Sequence, residues 1–282
     1  MIPFDFEYYK PATVAEACET YRTLQEQKKS VVYYSGGTEF ITLARVNQIS
    51  ADAVIDLKGI PEVQVLEMQG DQFIVGSAVT LNQIAESRLF PLLAQTVRGV
   101  ADHNSRNKIT IGGNLGSRLS YREGVLPLLL ADCKVRVAGG MKGEGERVVS
   151  LSDVFDKQLN LEQGEFLLQI LVDKEYLDLP YVHLKKTKQS KVDYPLVSVA
   201  ALVKDKEIRM AFSGICEYPF RLGEIEEVVN NTTFARKEQL KQVVGKLPAA
   251  ILDDLHGSAG YREFVFRNVV QETIDALEWA QK

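Results

Sequence analysis

Thiols and imidazoles are scarce in this sequence, with three cysteines and three histidines in 282 residues. Cys18, Cys133 and Cys216 are odd in number and far apart, which excludes a disulfide framework and any Cys-x-x-Cys metal or redox site. An iron–sulfur cluster takes about four thiolates, more than the chain holds. His103, His183 and His256 lack the spacing of metal ligands. No metal site is therefore expected here, and metal chemistry would have to sit on another chain. No apolar run nears the ~20 residues that span a bilayer. The opening Met1-Ile2-Pro3-Phe4-Asp5-Phe6-Glu7 is acidic and has no apolar core, so it does not read as a signal peptide. The cytoplasm is the expected compartment. Positive charge is not in excess either: 33 Lys and Arg against 38 Asp and Glu give a net charge of −5. That argues against a nucleic-acid partner, whose phosphates require clustered cations. There is no nucleophile elbow, no His-Glu-x-x-His and no paired-carboxylate signature, so no catalytic residue is assigned. The single tryptophan, Trp279, reads as a packing residue.

What is present is a globular composition, 45% hydrophobic and 25% charged, with length for one large domain or two ordinary ones. Thr13 with Glu16 is a capping box, after which Val14, Ala17, Cys18, Tyr21 and Leu24 share a helical face. Val31-Val32-Tyr33-Tyr34 reads as a strand, Ser35-Gly36-Gly37-Thr38 as a turn, the residues to about Val46 as a helix, and 53–57 as the next strand. Such a β–α–β unit predicts parallel pairing. The middle predicts a hairpin about Gln69-Gly70-Asp71, a helix capped by Thr80 and Gln83, a further helix over 90–101, and a polar, glycine-bearing segment over 102–122. Strands return at 134–138, 147–151 and 166–172, with a mobile loop at Gly139-Gly140-Met141-Lys142-Gly143-Glu144-Gly145-Glu146. A linker at 173–180 marks a boundary. Beyond it lie strands at 181–185, 197–203 and 208–213 and three helical segments, the last over 258–281. There are no internal repeats, and the class read from this mixture is α+β.

Two glycine pairs follow strand-like segments, Ser35-Gly36-Gly37-Thr38-Glu39 and Thr110-Ile111-Gly112-Gly113-Asn114. Consecutive glycines let backbone N–H groups approach a diphosphate closely and form an anion-binding nest. The first pair also leads into a helix, whose N-terminus favours negative charge. Neither matches the Rossmann or the Walker phosphate loop, and a Gly-Gly turn alone is most often structural. The basic stretch Lys185-Lys186-Thr187-Lys188-Gln189-Ser190-Lys191 by itself reads as a solvated loop.

In order along the chain, Phe4-Asp5-Phe6-Glu7-Tyr8-Tyr9-Lys10-Pro11, the first glycine pair, Ser105-Arg106-Asn107-Lys108-Ile109-Thr110-Ile111-Gly112-Gly113-Asn114-Leu115, Tyr181-Val182-His183-Leu184-Lys185 and His256-Gly257-Ser258-Ala259-Gly260-Tyr261-Arg262-Glu263 resemble the FAD-binding subunit of molybdenum hydroxylases. That family includes xanthine dehydrogenase and carbon monoxide dehydrogenase. The resemblance implies a two-lobed FAD-binding domain of the vanillyl-alcohol-oxidase (PCMH) type over 1–175, with lobes of about 1–57 and 58–175. A smaller C-terminal α+β domain would follow over 176–282. It implies that Tyr33, Tyr34, Ser35, Gly36, Gly37, Thr38, Glu39 and Phe40 run along FAD, with the amides of 35–38 on its diphosphate. Thr110, Ile111, Gly112, Gly113, Asn114 and Ser117 would approach the diphosphate and ribityl chain from the second lobe. Leu167 would pack at the cofactor, Lys185 would lie close to it, and Glu123 stands where relatives carry an Asp. The basic stretch after Lys185 falls where relatives place a loop beside the flavin. Residues 257–262 read as structural, docking the last helix.

The resemblance further implies a division of labour. A molybdopterin-binding large subunit would hydroxylate substrate and a [2Fe–2S] small subunit would relay electrons. This chain's FAD would collect them for NAD or another acceptor. Thr38-Glu39 looks closer to the purine-oxidising branch, which gives xanthine dehydrogenase as the expected type. Two alternatives stay open at this point: a stand-alone FAD reductase of the same fold, such as the enolpyruvyl-sugar reductase of cell-wall synthesis, and a non-enzymatic scaffold subunit that has lost its flavin.

Overall fold

The computed structural model describes residues 2–141 and 145–280. Lys142, Gly143 and Glu144 of the expected glycine-rich loop, and Gln281 of the expected last helix, lie outside the described residues. From the N-terminus come β1 (Glu7–Tyr9), α1 (Val14–Glu26), β2 (Val31–Tyr34), α2 (Thr38–Arg45) and β3 (Ala53–Asp56). The hairpin β4 (Leu66–Gln69) and β5 (Gln72–Gly76) leads to α3 (Leu81–Ser87), α4 (Pro91–Arg98), α5 (His103–Arg106), α6 (Ile111–Gly116) and α7 (Val125–Leu130). Then follow β6 (Lys134–Gly139), β7 (Glu146–Ser150), α8 (Leu151–Val154), the short pair β8 (Phe155–Asp156) and β9 (Gln158–Leu159), and β10 (Glu165–Asp173). The C-terminal part holds β11 (Tyr181–Thr187), β12 (Pro195–Lys204), β13 (Glu207–Ser213), β14 (Phe220–Arg221), α9 (Gly223–Asn230), α10 (Arg236–Gly245) and α11 (Ala259–Ala280). The contacts of the chain divide it into two units. The first is Met1–Ser87, His103–Ser117 and Cys133–Val172, and the second is Arg88–Asp102, Arg118–Asp132 and Asp173–Lys282.

The first unit holds two sheets. One has the order β1-β3-β2, and β3 pairs in parallel with both neighbours, as the β–α–β pattern predicts. Its crossover helix α1 starts as its sequence demands, with Thr13 Oγ1 accepting from the Glu16 N–H and Glu16 reaching back to the Ala12 N–H. Ala17, Tyr21 and Leu24 of that helix are buried together with Ala53, Ile55, Phe166 and Leu168. The other sheet has the order β4-β5-β10-β6-β7 and is antiparallel at β4–β5, β10–β6 and β6–β7. The β4–β5 turn puts Gly70 at φ +60°, a left-handed conformation that glycine adopts without strain. α3 opens with a reciprocal capping box: Gln83 Oε1 accepts from the Thr80 N–H, and Thr80 Oγ1 from the Gln83 N–H.

The second unit is an antiparallel sheet, β11-β12-β13-β14, with α9, α10 and α11 packed over a core of Val199, Met210, Phe212, Phe266, Val270 and Ile274. Arg262 is fully buried, and its guanidinium donates to the carbonyls of Leu196 and Gly214 and to Asp254. The residues around it therefore dock the last helix.

Three features depart from the sequence reading. The polar segment 102–122 contains α5 and α6, and α7 follows immediately; none of these was expected. Glycines at three of six positions obscure α6, while Pro127 sits in the first turn of α7, where a missing N–H costs nothing. Trp279, expected to pack, is 81% exposed. The expected strand 181–185 runs on through Lys186 and Thr187 of the basic stretch, which belong to β11 rather than to a loop.

Candidate functional site

The first glycine segment turns the chain from β2 into α2. Gly37 is the N-cap of α2 at φ +72°, and no side chain among the described residues caps that first turn. A helix leaves its first four N–H groups without intrahelical acceptors. A neighbouring anion suits the role of acceptor at such a start. Ser35 Oγ is buried with no hydrogen-bond partner among the described residues. The segment is held from behind. Lys58 Nζ donates to the Ser35 carbonyl at 2.6 Å and to both oxygens of the buried Asp56 at 2.8 and 2.9 Å. It also lies 4.7 Å over the Tyr34 ring. Tyr8 Oη donates a short hydrogen bond to Asp56.

The second segment runs beside the first. A Cβ built on Gly36 would lie 2.0 Å from the Lys108 carbonyl oxygen and 3.3 Å from the Thr110 nitrogen, so the two backbones meet where only glycine fits. Gly112 is locked in the same manner: its N–H donates to the Ser77 carbonyl at 2.9 Å, and a Cβ would meet Ser77 at 2.7 Å. The Ser77 N–H in turn donates to the Leu168 carbonyl at a β-bulge between Leu167 and Gln169. Thr110 Oγ1 accepts from the Gly113 N–H at 3.2 Å, which begins α6. Gly113 and Gly116 are different. A Cβ on Gly113 would touch only Thr110 Oγ1, at 3.1 Å, and one on Gly116 would meet nothing within 4 Å among the described residues. Ser77 Oγ is a second buried hydroxyl without a partner among the described residues. Behind this segment, Asn82 donates to the Asn107 side chain and the His103 carbonyl and accepts from Arg106 Nε.

Other expected site residues take varied positions. The partly buried Tyr33 ring packs against the core of the first unit, stacked on Tyr21 at 5.2 Å and 4.8 Å from Phe166, with its hydroxyl on the Gly164 carbonyl. Phe40 packs edge-on to Phe6 and Tyr34, Ile111 and Leu167 are buried, Asn114 and Ser117 are buried, Thr38 is exposed and Glu39 half-buried. Glu123 and Lys185 belong to the second unit, where they form a buried ion pair at 2.9 Å, and Lys185 also donates to the Gly99 carbonyl. Burial pushes the Glu123 carboxyl up against the opposing pull of Lys185. Burial, then the Lys185 charge, holds His183 down to about 4. Sequence reasoning missed Ser77, Lys58 and Tyr8, which sit outside every glycine motif. Among the described residues no three His, Cys, Asp or Glu side chains gather as metal ligands, and no helix is long and apolar enough to cross a membrane.

Comparison with known proteins bears on what these paired glycine loops hold. The family model "FAD binding domain in molybdopterin dehydrogenase" matches residues 4–173, more than half of the chain and both glycine segments. The chain belongs to that family. As in the family, its cofactor is FAD, and the chain is a flavoprotein subunit of the molybdenum-hydroxylase type of oxidoreductase. It is 24% identical to the nicotine 6-hydroxylase medium subunit of Paenarthrobacter nicotinovorans over 95% of each chain. To the xanthine dehydrogenase FAD-binding subunit of Escherichia coli O157:H7 it is 23% identical, over 81% of this chain and 80% of that one. A chain in the crystal structure of the Cu,Mo-CO dehydrogenase superposes with a TM-score of 0.85 at 20% identity, covering 98% of both. The fold is thus α+β, an FAD-binding domain of the PCMH type with a C-terminal α+β part. The residues present fit the cofactor: a cradle that a Cβ would fill, a helix start without a capping side chain, and two buried hydroxyls without partners.

Proposed function

We propose that this chain is the flavin-bearing subunit of a hydroxylase of the xanthine dehydrogenase type. It would assemble with a molybdopterin-binding large subunit and a [2Fe–2S] small subunit and deliver electrons to NAD or another acceptor. Its FAD-binding domain would span 1–175 and its C-terminal domain 176–282. FAD, when bound, supplies a centre that takes up electrons singly and releases them singly or in pairs. The residues of the chain bind and orient. The N–H groups of Gly36, Gly37 and Thr38 would take the diphosphate at the start of α2, with Ser35 and Ser77 donating their hydroxyls. Gly113 and Gly116 would admit the cofactor to the backbone of α6, beside Asn114 and Ser117, and Leu167 would pack against it.

The observation that carries this reading is the 2.0 Å approach that a Gly36 Cβ would make to Lys108, which brings both glycine segments to one place. Scarce thiols and imidazoles support placing the metal centres on partner chains. Thr38-Glu39 supports the purine-oxidising type, while the nicotine-hydroxylating relative makes nicotine the natural competing substrate. The test is acceptor reduction with xanthine, nicotine or carbon monoxide, by this chain alone and with candidate large and small subunits added. Turnover is expected only in the mixture, and only with xanthine. Substrate oxidation by the isolated chain would overturn the subunit reading, and turnover with nicotine alone would overturn the purine assignment.

A further inference from the structure

Lys58 lies outside both glycine segments, yet it touches the first at the Ser35 carbonyl and lies across the face of Tyr34 just before it. Tyr34 in turn bounds the glycine turn, because a Cβ on Gly37 would lie 2.1 Å from the Tyr34 hydroxyl oxygen. One ammonium thus fixes the two residues that lead into the turn. An ammonium on a flexible four-carbon stem makes a poor fixed point unless something fixes the ammonium itself. Asp56 does so. Its carboxylate is buried and accepts from Lys58 Nζ, from the Lys58 backbone N–H at 3.0 Å and from the Tyr8 hydroxyl. Burial alone would raise the Asp56 carboxyl, but these hydrogen bonds outweigh it and hold the group below the usual carboxylate value. The same contact pushes the Tyr8 phenol up to about 12, so Tyr8 remains a donor through the neutral range. The three residues come from β1, the end of β3 and the turn after it, so the clamp rests on the parallel sheet and not on the loop it holds.

We propose that Tyr8, Asp56 and Lys58 form a positioning clamp that presets the first glycine turn for the cofactor diphosphate, with Lys58 as the member that acts on the turn. The inference rests on the placement of FAD proposed above. Without the Lys58–Ser35 contact the turn has fewer constraints, and the ordering of its N–H groups falls to the ligand, which lowers affinity. Lys58 is a positioning residue because it acts through the Ser35 carbonyl.

The experiment titrates the full-length apoprotein with FAD and follows amide exchange over 34–40 and 110–116. Lys58→Met is expected to weaken FAD binding about tenfold, the scale of a lost charge-assisted hydrogen bond. It should speed exchange in 34–40 and leave 110–116 unchanged. Lys58→Arg, which keeps charge and donors, should recover most of both. Unchanged FAD affinity in Lys58→Met, faster exchange throughout the chain, or Lys58→Arg behaving like Lys58→Met would each overturn the clamp. If Lys58→Met does not fold, Tyr8→Phe is measured instead; about a threefold weakening supports the clamp and no change overturns it. Gly113→Ala is titrated beside them. If it loses FAD while Lys58→Met does not, the cofactor placement stands and the clamp falls. If neither loses FAD, the placement itself is wrong.

Discussion

The two glycine segments look alike in sequence and are built differently. The first leaves the amides at its helix start without a capping side chain and is braced by an ion pair of Lys58 with Asp56. The second satisfies its own Gly113 N–H through Thr110 Oγ1 and is braced by Asn82, which bonds the Asn107 amide and the Arg106 guanidinium with no carboxylate among them. What the first offers a dinucleotide is donors; what the second offers is room at Gly113 and Gly116. Within the second pair the glycines also divide. Gly36 and Gly112 are small because the protein's own backbone fills the space, whereas Gly113 faces little of the protein at all. A pair of glycines is therefore not one feature but two, and substitutions separate them.

The largest effect is expected at Gly36. Its Cβ would collide with the Lys108 backbone carbonyl at 2.0 Å, so Gly36→Ala must part the two segments. A loss of about 3 kcal/mol in urea unfolding, together with loss of bound flavin, is the expected outcome. Gly113→Ala should break the symmetry. In the apoprotein it is neutral or stabilising by up to about 1 kcal/mol, because alanine is the better helix residue. Its flavin content should nevertheless fall steeply, read as absorbance released on denaturation. A Gly113→Ala chain that retains full flavin would show that α6 does not face the cofactor. Thr110→Val removes the cap of α6 and should cost about 1 kcal/mol in the same unfolding assay. The smallest effect is in acid. The Asp56 carboxyl is held below its unfolded value of 3.8, so its contribution is fully present above about pH 4 and is lost as pH falls through the folded value. Apoprotein stability measured from pH 6 down to pH 3 should therefore fall more steeply in the parent than in Asp56→Asn. Parallel curves would remove the charged brace from the comparison.

The parts of this molecule that were legible in its sequence are those governed by neighbours along the chain. Thr13 with Glu16, Thr80 with Gln83 and the alternation of β2, α2 and β3 are local signals, and each led to the right element. α6 was hidden because Gly112, Gly113 and Gly116 disfavour a helix, which here is held by Thr110 and by the backbone of Ser77. The roles of Lys58 and Tyr8 were hidden because they arise from parallel pairing, which sets residues 8 and 56 side by side across 48 positions of sequence. The grouping of Arg88–Asp102 and Arg118–Asp132 with the C-terminal residues was hidden because it arises from packing between residues far apart in sequence. Nothing along the chain marks either excursion.

The exposed position of Trp279 fixes how this protein can be watched. It is the only indole in the chain, and it already stands in water at the end of α11. Its emission in the native protein should resemble that of the unfolded one. Intrinsic tryptophan fluorescence would then scarcely register denaturation, and a melt followed at that wavelength would appear flat. Circular dichroism or released flavin would follow unfolding instead. The same indole becomes a clean reporter of anything that covers the last turn of the helix, since a blue shift could come from no other residue.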